Sequence, residues 1–182
     1  MVAGAATGAL VVVDRRTSGA QLDDQSIELR AGNRVKEQIA EGRARVAVTS
    51  YNRRVLLTGE ASSDAIKTQI GQIVSQVENV KEVINELGVT SSPSLKERAT
   101  DTLITGRLKA SLVDAKDISA SAFKVTTERG TVYLMGRVTQ READRATDIA
   151  RNISGVARVV RAFEIVTEAE LAGMQTQAAP AE

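Results

Sequence analysis

Seven residues in the second half of the sequence have types and spacing suited to contact with a charged surface that has an apolar interior. They are Leu103, Gly106, Ala110 and Val113, with Arg107, Lys109 and Lys116 around them. At about 100° per residue, with Ile104 set at zero, Leu108 and Leu112 stay in one arc, while Leu103, Gly106, Ala110 and Val113 gather roughly 180° to 260° round. Arg107 flanks that second arc on one side and Lys109 on the other. A helix here carries a core stripe and a second apolar stripe edged by cations. Against an anionic lipid surface each well-placed cation contributes about 1 kcal/mol, and buried apolar side chains add to it. The same stripe would also serve as a protein interface, and the pattern alone leaves both readings open.

Little else in the chain can do chemistry. Cys, His and Trp are absent, and only two Tyr and two Phe occur among 182 residues. The commonest transition-metal ligands, general base and thiol nucleophile are therefore missing. There is no phosphate-cradling loop, serine elbow or dinucleotide fingerprint. Asp23 and Asp24 lack further acidic neighbours and suit helix capping better than metal binding. No catalytic residue, metal or cofactor is expected. Nucleic acid is a poor fit, because net charge is +1, stacking aromatics are scarce and no GxxG clamp is present.

A helix must present these residues, and the sequence builds its surroundings twice. "VLLTGEA" at Val55 to Ala61 returns as "VYLMGRV" at Val132 to Val138. In the first copy Ile27, Ala31, Val35 and Ile39 form a helical stripe that Asp24 or Ser26 would cap. Strands "RVAVTS" and "VLLTG" follow across the turn "YNRR", with Gly59 ending the second. Ile66, Ile70, Ile73 and Val77 then restore helical spacing before a closing strand "VKEVINEL". The second copy repeats the order with a helix from Asp101, the strands "FKVTT" and "TVYLMG", a helix starting at the capping-box pair Thr139 and Glu142, and the strand "VARVVRAFEI".

The expected fold class is α+β, two tandem units of order αββαβ, each a three-stranded mixed sheet packed on two helices. Residues 1–22 read as a flexible N-terminal segment whose uncharged start, "MVAGAATGALVVV", is too short to span a bilayer. "DRRT" within it could make an anion or partner contact, though an ordinary solvated turn suits it better. The first unit covers 23–88, a linker 89–98, the second unit 99–165 and a disordered acidic tail 166–182. Units of about 65 residues are marginal alone, so the two are expected to pack together.

A hydrophobic strand ending in Gly, a helix with spaced Ala or Ile and a "GVxxV"-type strand resemble the BON domain of bacterial envelope proteins. The second copy carries this pattern in "VYLMGRVTQREADRATDIARNISGVARVV", with Gly136, Gly155 and Val156 in place. The first, "VLLTGEASSDAIKTQIGQIVSQVENVKEV", keeps Gly59 but has Asn79 where the later Gly would stand. With "DRRTSGAQLDDQSIE" as lead-in, the resemblance spans Asp14 to Ile165 and is nearest to outer-membrane lipoproteins with paired BON domains. It implies a lipid-modified Cys upstream of Met1 in the natural precursor and periplasmic residence on the inner leaflet of the outer membrane. It implies binding of anionic phospholipid, phosphatidylglycerol or cardiolipin, through the first helix of the second domain, and a role in envelope integrity near the division site. Envelope or division proteins are possible partners. The family has a large aromatic where this chain has Leu103, which implies shallower insertion here.

Two comparisons within the chain bear on the site. Aligning "RAGNRVKEQIA" with "LITGRLKASLV", a shift of 73, sets Arg30, Asn33, Glu37 and Ala40 opposite Leu103, Gly106, Ala110 and Val113. On that alignment the first copy's outer face is polar. Charge also differs: Asp24 to Gly88 holds nine Lys/Arg and nine Asp/Glu, whereas Ala99 to Phe163 holds eleven and seven, a balance of +4. In the rival reading, a protein-interaction adaptor, the stripe would dock a partner or the other unit.

Overall fold

Capping side chains set the helix starts. In the computed structural model, which describes residues 14–177, α1 (Ser18–Gln38) begins where the Thr17 hydroxyl accepts the Ala20 N–H. Ser63 does the same for α2 (Asp64–Ser75). Helices α3 (Leu95–Asp114) and α4 (Gln140–Arg151) carry complete capping boxes, Ser94 with Glu97 and Thr139 with Glu142.

In the first unit β1 (Ala44–Tyr51) and β2 (Arg54–Ala61) form a hairpin across Asn52 and Arg53, whose φ values of 51° and 66° give the mirror-type turn that matches strand twist. β3 (Glu82–Asn85) and β4 (Gly88–Val89) both pair parallel to β2. In the second unit β5 (Lys124–Glu128) and β6 (Thr131–Val138) turn at Arg129 and Gly130, and β7 (Arg158–Ile165) lies parallel to β6. The expected α+β class and the αββαβ order of each unit are both present. The first sheet has four strands where three were expected, because β4 continues the line of β3 beyond Glu86 and Leu87.

A carboxylate in each unit ties its first helix to its hairpin turn. Asp24, 2% exposed in α1, accepts the Asn52 and Arg53 N–H groups at 2.8 and 2.7 Å and the Ser50 hydroxyl at 2.7 Å. Asp101 in α3 accepts those of Arg129 and Gly130 at 2.8 and 2.9 Å. Asp24 is therefore a buried turn-binder and not the cap of α1. The matched pairs lie 77 residues apart, so the alignment at 73 is one helical turn short.

The glycines confirm the offset. Gly59 and Gly136 lie inside β2 and β6, not at their ends, with φ of 116° and 155°. A Cβ would come within 2.0 Å of the Arg45 carbonyl oxygen in one unit and 2.2 Å of that of Ala122 in the other. Past the second helix the offset falls to 76, where Asn79 and Gly155 both have positive φ, 69° and 94°. Asn tolerates that region better than most L-residues, which is why it can replace the family's Gly.

Alternation along β2 and β6 separates two kinds of packing. Val55 and Leu57 face the first core with Ile27, Ala31 and Ile70, and Val132 and Leu134 face the second with Ile104, Leu108 and Ala146. The residues between them point the other way, and Leu56 and Tyr51 meet Tyr133, Met135 and Ala162. The units thus pack together sheet against sheet, with the helices on the two outer faces.

Polar contacts surround that apolar centre. Arg54 donates to the Phe163 carbonyl at 2.6 Å, Asn52 to Glu164 at 2.7 Å, and Lys124 binds Glu28 at 2.9 Å. Arg45 joins Glu60 to Glu128 across the interface.

Four segments differ from expectation. The "DRRT" turn is only partly solvated: Asp14 and Thr17 are exposed, but the Arg15 side chain is 8% exposed and grips Glu142 of the second unit through two bonds of 2.8 Å. Residues 18–22 belong to α1, and residues 1–13 of the expected flexible segment lie outside the described residues. Within the expected linker Pro93 is buried and α3 has begun by Leu95. The expected disordered tail carries α5 (Glu168–Gln177), started by reciprocal bonds between Thr167 and Glu170 and held by buried Leu171. Residues 178–182 lie outside the described residues.

Burial raises the Glu142 pKa, but the Arg15 fork and the Thr139 N–H together outweigh it and hold the carboxyl below the usual carboxylate range. Its stabilisation is thus complete above the unfolded-state value, near pH 4.3 in about the model-peptide range, and is lost as pH falls through the depressed folded value. Arg15→Ala should lower stability at neutral pH by about 3 kcal/mol, as expected for breaking a buried pair. Urea unfolding across pH should show the gap from the parent narrowing on the acid side.

Candidate functional site

The roll of α3 on its sheet decides which side chains it offers to solvent. Asp101, Ile104, Leu108 and Leu112 are buried, and the Asp101 bonds to the hairpin turn fix the register of that stripe. On the opposite side all seven residues singled out by the sequence are exposed, Leu103 at 58% and Val113 at 64%. Six lie on α3, and Lys116 lies in the turn after it. Gly106 adds no side chain there and a Cβ would meet nothing within 4 Å.

The stripe is longer than the sequence reading allowed. Leu95, 84% exposed, and Ala99 continue it towards the helix start, so that Leu95, Ala99, Leu103, Gly106, Ala110 and Val113 follow one line. At 1.5 Å per residue that line is about 27 Å long. Sequence reasoning missed its first third by assigning Leu95 to a linker and starting the helix at Asp101. The Ser94-x-x-Glu97 spacing was the available signal.

Cations border the line on both sides. Lys96 and Arg107 lie along one edge, Arg98 and Lys109 along the other, and Lys116 beyond the end. None of the five side chains makes an ion pair or hydrogen bond among the described residues. Two of the helix's three acids are used locally, while Asp114 stays exposed at its end. The Ser94 N–H and hydroxyl hold the Glu97 carboxyl below its usual range, and Asp101 is taken up by the hairpin turn. The outward face of α3 therefore combines an apolar ridge with unsatisfied positive charge.

The first unit gives a less sharp contrast than the alignment at 73 suggested. At the correct offset Leu103, Gly106, Ala110 and Val113 correspond to Ser26, Leu29, Asn33 and Lys36. Leu22 and Leu29 are both 66% exposed on α1, so its outer face is not wholly polar. Ser18, Ser26, Asn33 and Lys36 nonetheless interrupt the line. Nor does the α3 stripe dock the other unit, because the sheets make that contact and α3 lies in an outer layer.

Among the described residues no cluster of acidic, His or Cys side chains could hold a metal ion. No helix among them is long and apolar enough to cross a membrane.

Comparison with known proteins adds an independent line. The BON domain family matches twice, at residues 23–91 and 100–167. The chain is 37% identical over 165 residues to the outer membrane lipoprotein DolP of Haemophilus influenzae, covering 90% of this chain and 86% of that protein. It is 33% identical over 155 residues to a 21 kDa hemolysin of Actinobacillus pleuropneumoniae, with 85% and 80% covered. It is 32% identical over 117 residues to the osmotically-inducible protein Y of Escherichia coli, with 63% and 58% covered.

Leu103→Asp and Val113→Asp replace exposed side chains and should each change unfolding free energy by no more than about 0.5 kcal/mol. Leu108→Ala, on the buried side of the same helix, should cost about 2–5 kcal/mol. Chemical denaturation of the three variants reads the difference directly.

Proposed function

Since the chain belongs to the BON-domain family and carries two BON domains in tandem, we propose that it is an envelope protein that binds anionic phospholipid through the outward face of α3. The observation that carries this reading is the apolar line from Leu95 to Val113, exposed along its length and bordered by cations that have no partner among the described residues. Leu103, Ala110 and Val113 supply apolar contact, Gly106 lets the backbone approach closely, and Arg107, Lys109 and Lys116 meet headgroups. α3 lies flat on the surface, so the helix enters the interfacial layer without crossing it. Phosphatidylglycerol and cardiolipin have the required negative charge.

Likeness to an outer membrane lipoprotein supports attachment to that membrane, with both domains proposed to lie on its periplasmic side. In that setting the protein supports envelope integrity, including at the division site. Binding is the activity assigned, and no catalytic step is invoked.

Co-sedimentation with phosphatidylglycerol vesicles tests the assignment, with phosphatidylcholine vesicles as the neutral control. The parent protein should bind the anionic vesicles alone and release them as salt is raised, because the charge term is screened. Leu103→Asp should weaken binding at least about tenfold, whereas Leu29→Asp on α1 should leave it unchanged. Equal binding by the parent and Leu103→Asp would remove α3 from the site. Equal loss in both variants would show that the contact is not specific to the second unit.

A further inference from the structure

The flank of α3 that faces the first unit borders a hollow that the apolar ridge does not use. It holds about 280 Å³ and is walled by Arg98, Thr102 and Thr105 of α3, Thr127 and Glu128 of β5 and Arg45 of β1. At about 30 Å³ per water that is room for roughly nine waters, enough for a small polar group but not for a whole lipid. At about 100° per residue Thr105, Arg98 and Thr102 fall roughly 100°, 120° and 160° round from Ile104, between the buried stripe and the ridge that starts near 180°. Arg98 and Thr102 are exposed, whereas Thr105 and Thr127 are half-buried, so the mouth opens beside the ridge and the interior lies behind it.

Few polar groups in the hollow remain uncommitted, and those few set what it can hold. Asp101 at its wall gives both oxygens to the N–H groups of the hairpin turn. Arg45 and Arg129 stand against Glu60 and Glu128, with Arg45 bound to Glu60 at 2.6 and 2.8 Å. An ammonium would find no unpaired carboxylate there, and an anion would find no free cation beyond Arg98 at the mouth. Glu128 gives one oxygen to Arg45, and its other oxygen accepts no hydrogen bond among the described residues. Thr105 donates to Thr127 Oγ1 at 2.8 Å, which leaves the Thr127 hydroxyl proton without a partner among the described residues. One donor and one acceptor are thus available inside, which suits a neutral group with hydroxyls.

The repeat shows that the fold does not require this opening. At the offset of 77, Asp101, Thr105, Thr127 and Glu128 correspond to Asp24, Glu28, Ser50 and Tyr51. There the chain's own cations take the place: Arg16 binds Asp24 at 2.8 Å and lies 4.5 Å from the centroid of the Tyr51 ring, and Lys124 binds Glu28 at 2.9 Å. The residue corresponding to Arg16 is Pro93, which has no cation to offer.

We propose that this hollow takes the terminal glycerol of a phosphoglycerol headgroup while the acyl chains lie against the ridge, an inference that rests on α3 being the lipid-facing helix. Arg98 meets the phosphodiester at the mouth. Inside, one glycerol hydroxyl accepts from Thr127 and the other donates to Glu128. The hollow thereby separates phosphatidylglycerol from lipids of equal charge whose headgroups end differently, which cations along the ridge cannot do.

Co-sedimentation of the full chain with phosphatidylglycerol vesicles and with phosphatidylserine vesicles, two lipids of equal net charge, tests this. The parent should bind phosphatidylglycerol about fivefold more tightly, as expected of one or two neutral hydrogen bonds. Thr127→Val and Glu128→Gln should each remove that preference by weakening phosphatidylglycerol binding alone, and their retained phosphatidylserine binding reports that they fold. Leu103→Asp, on the ridge, should weaken both lipids alike. Equal binding of the two lipids by the parent would overturn the proposal, as would a preference that survives in both variants of the hollow. Glycerol 1-phosphate added to the labelled parent keeps this proposal apart from the assignment of α3. Movement of the Thr105 and Thr127 amide signals, absent with inorganic phosphate, would uphold the hollow even where no vesicle binds. No movement with either compound would overturn it.

Discussion

In each unit a buried carboxylate reaches from the first helix into the tip of the hairpin and fixes how that helix can roll on its sheet. Asp24 and Asp101 each satisfy two backbone N–H groups of a turn whose residues have positive φ and no strand partner. Removing either would leave two half-buried donors dependent on water, a loss of about 1 kcal/mol for each bond. The same bonds select the helix face that enters the core. With Asp101 held, Ile104, Leu108 and Leu112 are buried and Leu103, Gly106, Ala110 and Val113 are turned to solvent. The candidate surface on α3 is thus set by an interaction on the far side of the helix.

Sheet-against-sheet packing supplies the second constraint. It uses the faces of β2 and β6 that the helices leave uncovered, with a small apolar centre of Tyr51, Leu56, Tyr133, Met135 and Ala162. Burial raises the pKa of both tyrosines, so the interface favours their neutral form. Exposed ion pairs around the rim contribute little each. The buried Arg15 fork on Glu142 differs, because each charge would be costly to bury without the other. Arginines at this interface are largely paired, whereas the cations along α3 are not. The positive balance of the second unit is therefore concentrated where it can act on something outside the chain.

Duplication allowed the two copies to diverge at positions the fold does not require. The turn-binding Asp and the strand glycines recur at a constant offset, since losing a buried acceptor or adding a Cβ within 2.2 Å of a carbonyl oxygen would disrupt the sheet. Outside that frame the units differ in two ways. The second buries Ile118 and Phe123 and presents a continuous apolar ridge on α3. The first has Glu41 and Val46 at the corresponding positions, and its α1 ridge is broken by polar residues.

Local patterns in the sequence determined the α+β class, the doubled αββαβ order, the core stripes and the exposed positions of the seven candidate residues, because alternation and helical spacing report directly which side of an element is apolar. The repeat's true offset was harder to read, since a one-turn slip of four residues keeps an apolar stripe in nearly the same arc. Only the tertiary structure decided it, through Asp24 and Asp101 meeting turns 28 and 29 residues away. The buried grip of Arg15 on Glu142, 127 residues distant, left no local pattern at all. The layer order, which turns α3 outward while the sheets pack together, likewise depends on contacts between distant segments that periodicity cannot report.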